Sequence, residues 1–453
     1  MSNPGADDAT PITSTADLAA YFAAGCKPRS EFRIGTEHEK FGFRLSDYVP
    51  PPYAPDGIRA VIDGLAASGG EPILDRGQPI GLARGNWAIS LEPGGQLELS
   101  GAPLLSLHQT KQELAQHFDE LRRIAGRLGL GFAPLGFQPL ATRQQMPWMP
   151  KSRYGIMGAY MPKVGRLGLD MMLRTCTVQA NLDYASEADM VRKFRVALCL
   201  QPLATALFTN SPFREGRPSG FLSTRAEVWR DTDPDRTGIP AVAFEPDFGF
   251  ARYVEWTLDV PMYFIRRGGT YRNLAGRSFR DFMAGRLTEA GNEIATIGDF
   301  ADHVTTVFTD VRLKRYLEMR GADAGSAEMM LAQSALWVGL FYDDVALDAA
   351  HDVIARYPWQ EFAALRDQVP KTALGTKWQG GSLRDLAREV IAIAKEGLAR
   401  RGLRNAEGED EQSYLAPIEA IAAGELTAAE RWLGRFHGPW KGDVRPIFHE
   451  ASI

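Results

Sequence analysis

Four stretches decide how this chain folds: FRIGTEHEKFGF (32–43), LEPGGQLELS (91–100), LRTCTVQANLD (173–183) and KRYLEMRGAD (314–323). Side chains alternate across a β-strand, so residues of equal parity share a face. In the first stretch Glu37 and Glu39 point one way and His38 the other. In the second, Gln96 and Glu98 oppose Leu97 and Leu99, and Glu92 sits just across the Pro93-Gly94-Gly95 turn. In the third, Thr175, Thr177, Gln179, Asn181 and Asp183 oppose Cys176, Val178, Ala180 and Leu182. In the fourth, Tyr316, Glu318 and Arg320 oppose Leu317 and Met319. Each strand taken alone reads as half-buried, with its polar face in water.

Taken together, the polar faces say more. They carry Glu rather than the Lys and Thr mixture of a solvated sheet, and like charges two apart on one face repel unless a cation screens them. Glu37, Glu39, Glu92, Glu98 and Glu318 form an all-oxygen set suited to Mg²⁺ or Mn²⁺; no His or Cys spacing suits zinc. Arg320, beside Glu318, has the planar fork that recognises phosphate. There is no GxxxxGK[ST] and no GxSxG, which excludes a P-loop and a nucleophile elbow. Gly126, Gly129 and Gly131 complete no GxGxxG and follow a helix pattern, which argues against a Rossmann site. The seven His are scattered and read as structural or surface residues.

Outward from these strands, Pro50, Pro51, Pro52 and Pro55 mark 47–57 as a loop. Leu107, Leu114, Phe118, Leu121, Ile124 and Leu128 recur at helical spacing within 104–128. Ser186, with Asp189 three positions on, opens a further helix. Two long irregular stretches, 141–170 and 209–240, read as binding loops, and 312–320 reads as one strand. After about residue 327 the chain turns helical, clearly over 383–401 and again over 414–435, with a polar break at 404–413. Residues 1–14 read as a loose tail. Strands that precede, mix with and then give way to helices favour an α+β fold over regular βαβ alternation. We expect one catalytic unit over 1–453, with a strand-rich core at about 30–325 and a helical part at about 326–453.

The 453 residues carry a net charge of -5. A mildly acidic chain has no bulk attraction for nucleic acid or an anionic membrane, so small-molecule substrates are expected. No apolar run approaches the roughly 18–20 residues of a membrane helix. MSNPGADDAT lacks the basic and apolar regions of a secretory signal. Cys26, Cys176 and Cys199 are too few and too far apart for a disulfide framework or a zinc site, and read as reduced thiols in the cytoplasm.

Several longer motifs extend these readings. GTEHEKFGF, SLEPGGQLELSGAPLLSLHQT, MPKSRYGIM, YMPKVGRLGLDMMLRTCTVQANLDY, LQPLATALFTNSPF, DTDPDRTG, LDVPMYF and VRLKRYLEMRGAD closely resemble the plant and proteobacterial type of glutamate–cysteine ligase, from about Glu31 to Gly325. A weaker likeness continues in LAPIEAIAAGELTAAE and GPWKGDVRPIF. The resemblance implies a glutamine-synthetase-like fold, in which an antiparallel sheet curves into a saddle with helices behind it. It also implies an ATP-dependent reaction, the first step of glutathione biosynthesis. ATP phosphorylates the γ-carboxylate of glutamate, and the cysteine amine displaces phosphate. On this resemblance Glu37, Glu39, Glu92, Glu98 and Glu318 hold Mg²⁺ (or Mn²⁺), and Arg320 faces phosphate. Arg153 and Arg225 hold the glutamate carboxylates, while Trp229 and Tyr263 form the cysteine pocket. Gln179 stands where more distant ligases have a His, and with Asn181 it belongs to the same polar face. The expected partners are glutamate, cysteine and ATP, on a monomer or homodimer. Plant members carry regulatory cysteines; here Lys111 and Leu331 stand at one pair of those positions and Leu274 at one member of a second, so no thiol switch is expected. The nearest rival is a related carboxylate–amine ligase with a different amine acceptor. A non-catalytic sensor of glutamate or nucleotide is a further one, and would have lost metal acids.

Overall fold

The computed structural model describes residues 8–453. Its centre is a nine-stranded sheet, antiparallel at every pairing. The strands are β1 (Ile34–Arg44), β2 (Glu71–Asp75), β3 (Gln78–Arg84), β4 (Trp87–Leu91), β5 (Leu97–Ser100), β6 (Leu130–Ala133), β7 (Thr177–Leu182), β8 (Val311–Leu313) and β9 (Leu317–Asp323). Their order across the sheet is β8-β9-β7-β1-β5-β4-β3-β2, with β6 pairing the far end of β1. With helices on the sheet and helices following it, this is the α+β class that the order of patterns predicts.

One face of the sheet is the floor of the polar region; the other is packed by helices. Helix α1 (Leu107–Arg127) opens at Ser106, whose hydroxyl accepts from Gln109 N–H, and its buried stripe includes Leu114, Phe118, Leu121 and Ile124. Later in the chain come α2 (Ser152–Val164), α3 (Gly168–Arg174), α4 (Glu187–Leu207), α5 (Thr224–Trp229), α6 (Ala327–Phe341) and α7 (Leu383–Arg401). Helix α4 packs on β9 and α6 on β7, with α7 behind α6. Both α4 and α6 are buried on nearly every side in the C-terminal part of their length, as expected of helices sandwiched between a sheet and a further layer. Val178, Ala180 and Leu182 from β7 and Leu317 and Met319 from β9 enter this core.

Parity places His38 on the helix side of β1, and it lies there. That side is not purely apolar: buried Lys40 Nζ lies 3.0 Å from His38 Nδ1 and 3.0 Å from His117 Nε2 of α1.

Several expectations need correction. The stretch 141–170 is not one irregular loop, since it contains α2 and the start of α3. Its buried residues Arg153, Tyr154, Met157 and Met161 do follow helical spacing, but Gly, Pro and Met obscure the pattern; Pro162 falls in the last turn of α2. Leu173 and Arg174 end α3 rather than begin a strand, so Thr175 precedes β7 and its hydroxyl donates to the Met171 carbonyl at 2.7 Å. The stretch 209–240 holds α5, capped by Ser223. The single strand expected over 312–320 is the β8–β9 hairpin, reversed through Lys314 and Tyr316. The tail expected at 1–14 lies outside the described residues up to position 7; helix begins at Thr15. Among the described residues no helix is long and apolar enough to cross a membrane.

Candidate active site

Register turns parity into neighbours. Glu37 faces Gln179 across β1 and β7, Glu39 faces Glu98 across β1 and β5, and Glu318 faces Asn181 across β9 and β7. The acids therefore lie on one face, over adjacent strands. Glu37 Oε1 accepts from Asn181 Nδ2 at 2.8 Å, while Glu37 Oε2 and Asn181 Oδ1 are buried without a hydrogen-bond partner. Burial and the nearby Glu318 and Glu98 carboxylates raise the Glu37 pKa. Glu39 accepts from Thr177 N–H at 2.9 Å, and burial together with Glu98 pushes it up to about 8. Glu98 accepts from Ser90 Oγ at 2.8 Å. Positive charge brought beside two carboxylates raised in this way would favour their ionised form.

Glu318 differs. Its oxygens meet Arg312 at 2.6 Å, Lys314 at 3.0 Å and Arg320 at 2.6 Å, all buried. Burial alone would raise its pKa; these three cations hold it well below the usual carboxylate range. Among the described residues no three His, Cys, Asp or Glu side chains are grouped so as to hold a metal ion by themselves. A hard ion here would need oxygens from substrate and water as well, as Mg²⁺ ordinarily uses.

Arg320 lies in a bulge of β9, where the register shifts between Met319 and Ala322. The bulge re-aims its side chain, which donates to Gln179 Oε1 at 2.6 Å. Arg225, on α5, reaches the same bulge from above: its guanidinium donates to the carbonyls of Arg320 at 2.9 Å and Gly321 at 3.4 Å.

Two hollows meet at β1. A cleft of about 480 Å³ is bordered by Glu37, Asn181, Lys27, Arg33, Trp87 and Tyr316. A much smaller hollow of about 30 Å³ is bordered by Glu39, Glu92, Arg225, Arg320, Trp229 and Thr177. Glu98, Glu318 and Gln179 are buried beneath. The indole N–H of Trp229 is buried without a partner, as are Nε and Nη2 of Arg153 on α2. Tyr263 borders neither hollow. Its ring lies under the Arg236 guanidinium at 4.0 Å; the Arg236 carbonyl accepts from Phe308 N–H, and the Phe308 ring packs edge-on against Trp229.

Comparison with known proteins matches this assembly to one family. The description "Glutamate-cysteine ligase family 2 (GCS2)" fits residues 33–450. The chain belongs to glutamate–cysteine ligase family 2. It is 48% identical over 441 residues to a rice protein named glutamate–cysteine ligase B, chloroplastic, covering 97% of this chain and 87% of that one. It is 49% identical over 443 residues to the Arabidopsis thaliana protein named glutamate–cysteine ligase, chloroplastic, covering 98% and 83%. A crystal structure of glutamate–cysteine ligase from Francisella tularensis, in complex with AMP, superposes with a TM-score of 0.54 at 14% identity, over 93% of this chain and 89% of that chain. At that identity the likeness speaks for the fold, and it agrees with the glutamine-synthetase-like architecture expected from the motifs.

As a member of this ligase family, the chain is an enzyme of the ATP-dependent ligase class. The cytoplasmic expectation is corrected: the plant relatives are named chloroplastic. Three sparse free cysteines do not choose among compartments.

Arg312 and Lys314 escaped the reading of the sequence. They share the parity of Glu318 in VRLKRYLEMR, and that was the available signal. The reversal at Lys314–Tyr316, which folds them onto Glu318, was not visible in one strand's pattern.

Proposed function

We propose that this ligase joins the γ-carboxylate of glutamate to the amine of cysteine at the expense of ATP, through a γ-glutamyl phosphate, as the first step of glutathione biosynthesis. One observation carries the reading. Glu37 and Glu39, two residues apart on one face of β1, border two different hollows, a larger open cleft and a smaller one lined by Arg225 and Arg320. A reaction that passes a phosphoryl group from one substrate to another needs two such sites side by side.

In this reading the wide cleft takes ATP, and the AMP held by the Francisella tularensis protein fits that assignment. Glu37, Glu39, Glu92 and Glu98 would hold Mg²⁺, or Mn²⁺ in its place. The orphaned Glu37 Oε2 and the raised Glu39 fit a hard cation. A divalent ion held by these acids would supply the positive charge that the approach of phosphate and carboxylate calls for. Glu318 is assigned less to the metal than to holding Arg320, which faces the transferring phosphoryl group; Gln179 fixes the same guanidinium. Asn181 orients Glu37. Arg225 and Arg153 hold the glutamate carboxylates, and the unpartnered nitrogens of Arg153 await an acceptor. Trp229 forms the wall of the cysteine pocket, and Tyr263 supports that wall through Arg236. The whole chain acts as one catalytic unit, with the strand-rich core at about 30–325 carrying every residue named here.

The test is phosphate release from ATP with glutamate present and a panel of amines offered. Cysteine should be used with the highest kcat/KM, and EDTA should abolish turnover. Preference for another amine would assign the chain to a related carboxylate–amine ligation. Full turnover in EDTA would overturn the metal assignment.

A further inference from the structure

Asp323 ends β9, is buried to 2% exposure and touches neither hollow. Its carboxylate is nonetheless surrounded by donors. Oδ2 accepts from Asn210 N–H at 2.8 Å and from Ser211 Oγ at 2.6 Å; Oδ1 accepts from Ser223 Oγ at 2.8 Å. Each hydroxyl has a second task. Ser223 Oγ caps α5 by accepting from Ala226 N–H at 3.0 Å, and Ser211 Oγ accepts from Arg225 N–H at 3.3 Å. Because the two hydroxyls donate to Asp323, their lone pairs are turned toward the helix amides. The Ser211 carbonyl adds to the hold, accepting from Thr224 N–H at 3.0 Å and Thr224 Oγ1 at 2.6 Å.

Helix α5 has only six residues, too short to be stable by itself. Its first turn carries Arg225 and its last residue is Trp229, and both border the smaller cavity. The far end of Arg225 rests on the carbonyls of Arg320 and Gly321, three and two residues before Asp323 on the same strand. A single segment of β9 thus grips Arg225 at both ends, by carbonyls at the guanidinium and by Asp323, through Ser211 and Ser223, at the backbone. The fit is close: a Cβ on Gly136 would stand 2.3 Å from Asp323 Cγ. We infer that Asp323 is the positioning residue for Arg225, setting the angle at which its guanidinium meets glutamate. This rests on the assignment of Arg225 to a glutamate carboxylate.

The experiment uses the full chain with Asp323→Asn, which keeps the size but replaces one acceptor oxygen by a donor. Ser223→Ala, which removes one hydroxyl, serves as a second and milder variant. Glutamate KM should rise at least about fivefold in each, with ATP KM within about twofold of the parent. Amide exchange over 223–230 should quicken while that over β1 is unchanged. In an Arg225→Lys background the Asp323→Asn effect on glutamate KM should largely vanish, because two residues acting through one contact are not additive. Equal factors in both backgrounds, or unchanged exchange over 223–230, would overturn the inference. If Arg225→Lys raises the glutamate KM and neither Asp323→Asn nor Ser223→Ala does, the inference alone fails. If Arg225→Lys leaves that KM unchanged, the glutamate assignment fails and the inference falls with it.

Discussion

Glu37 and Glu318 look equivalent in the sequence, and the structure predicts opposite costs for neutralising them. Glu318 is enclosed by three buried cations, with Arg312 and Glu318 at 0% side-chain exposure and Lys314 and Arg320 at 8%. Glu318→Gln keeps the shape and leaves Arg312, Lys314 and Arg320 facing one another without a counter-charge. Removing one partner of a buried ion pair costs about 3–5 kcal/mol, and three cations on one carboxylate put this case at the upper end. Glu37→Gln does the reverse. Its carboxylate is crowded by Glu318 and Glu98, and an amide oxygen still accepts from Asn181. Its unfolding free energy should equal or exceed that of the parent, while kcat falls at least about 10²-fold through the loss of a charge at the metal. Urea titration of both variants and the parent, without substrate or metal, reads the first quantity; phosphate release from ATP reads the second. If Glu318→Gln unfolds at the parent's urea concentration, or Glu37→Gln at a markedly lower one, the division of the acids into a compensated and an uncompensated set is wrong.

Glu39 and Glu113 sit at about 8 and about 7 because burial disfavours their charge. Both values lie above the unfolded carboxylate, so between about pH 4.5 and 8 the native state holds protons that the unfolded state has released, and stability falls as pH rises through that window at up to about 1.4 kcal/mol per pH unit per group. Metal-free protein should therefore melt lower at pH 8 than at pH 6, and Glu39→Gln should flatten the slope; a rising melting temperature would refute it. Arg225→Ala should raise the glutamate KM, whereas Tyr263→Ala, which empties a buried site against Arg236 and Met161, should lower stability by about 3–5 kcal/mol without a selective effect on cysteine. Equal disturbance of the same substrate by both would show the assignment to be misplaced. Cys199 is pushed up to about 12 by burial, and burial also holds Cys176 well above the usual thiol range, so preincubation with oxidised glutathione should leave activity nearly unchanged; a several-fold activation reversed by dithiothreitol and lost in Cys26→Ser would reveal a thiol switch.

The division between what the sequence held and what it lacked follows from the range of each interaction. Alternation is local: it put Glu37, Glu39, Glu98, Gln179, Asn181 and Glu318 on polar faces, and the structure gathers those faces onto one side of one sheet. Helix α7 was legible to the residue, Leu383–Arg401, because its stripe and its Ser382 cap lie within one segment. Where Gly, Pro and Met diluted the period, as in α2, the same local rule failed. Strand order, register and the path of the chain are not local. That Glu39 faces Glu98 while Glu37 faces Gln179, that the β8–β9 reversal brings Arg312 against Glu318, and that Asp323 reaches a serine 100 residues earlier depend on which segments meet. Alternation says only which way a side chain points from its own strand. The charge state of an acid depends on what it meets there, so acids that look equal in the sequence became, in three dimensions, Glu318 held charged by three cations and Glu37 and Glu39 pushed toward the neutral form by burial and neighbouring carboxylates.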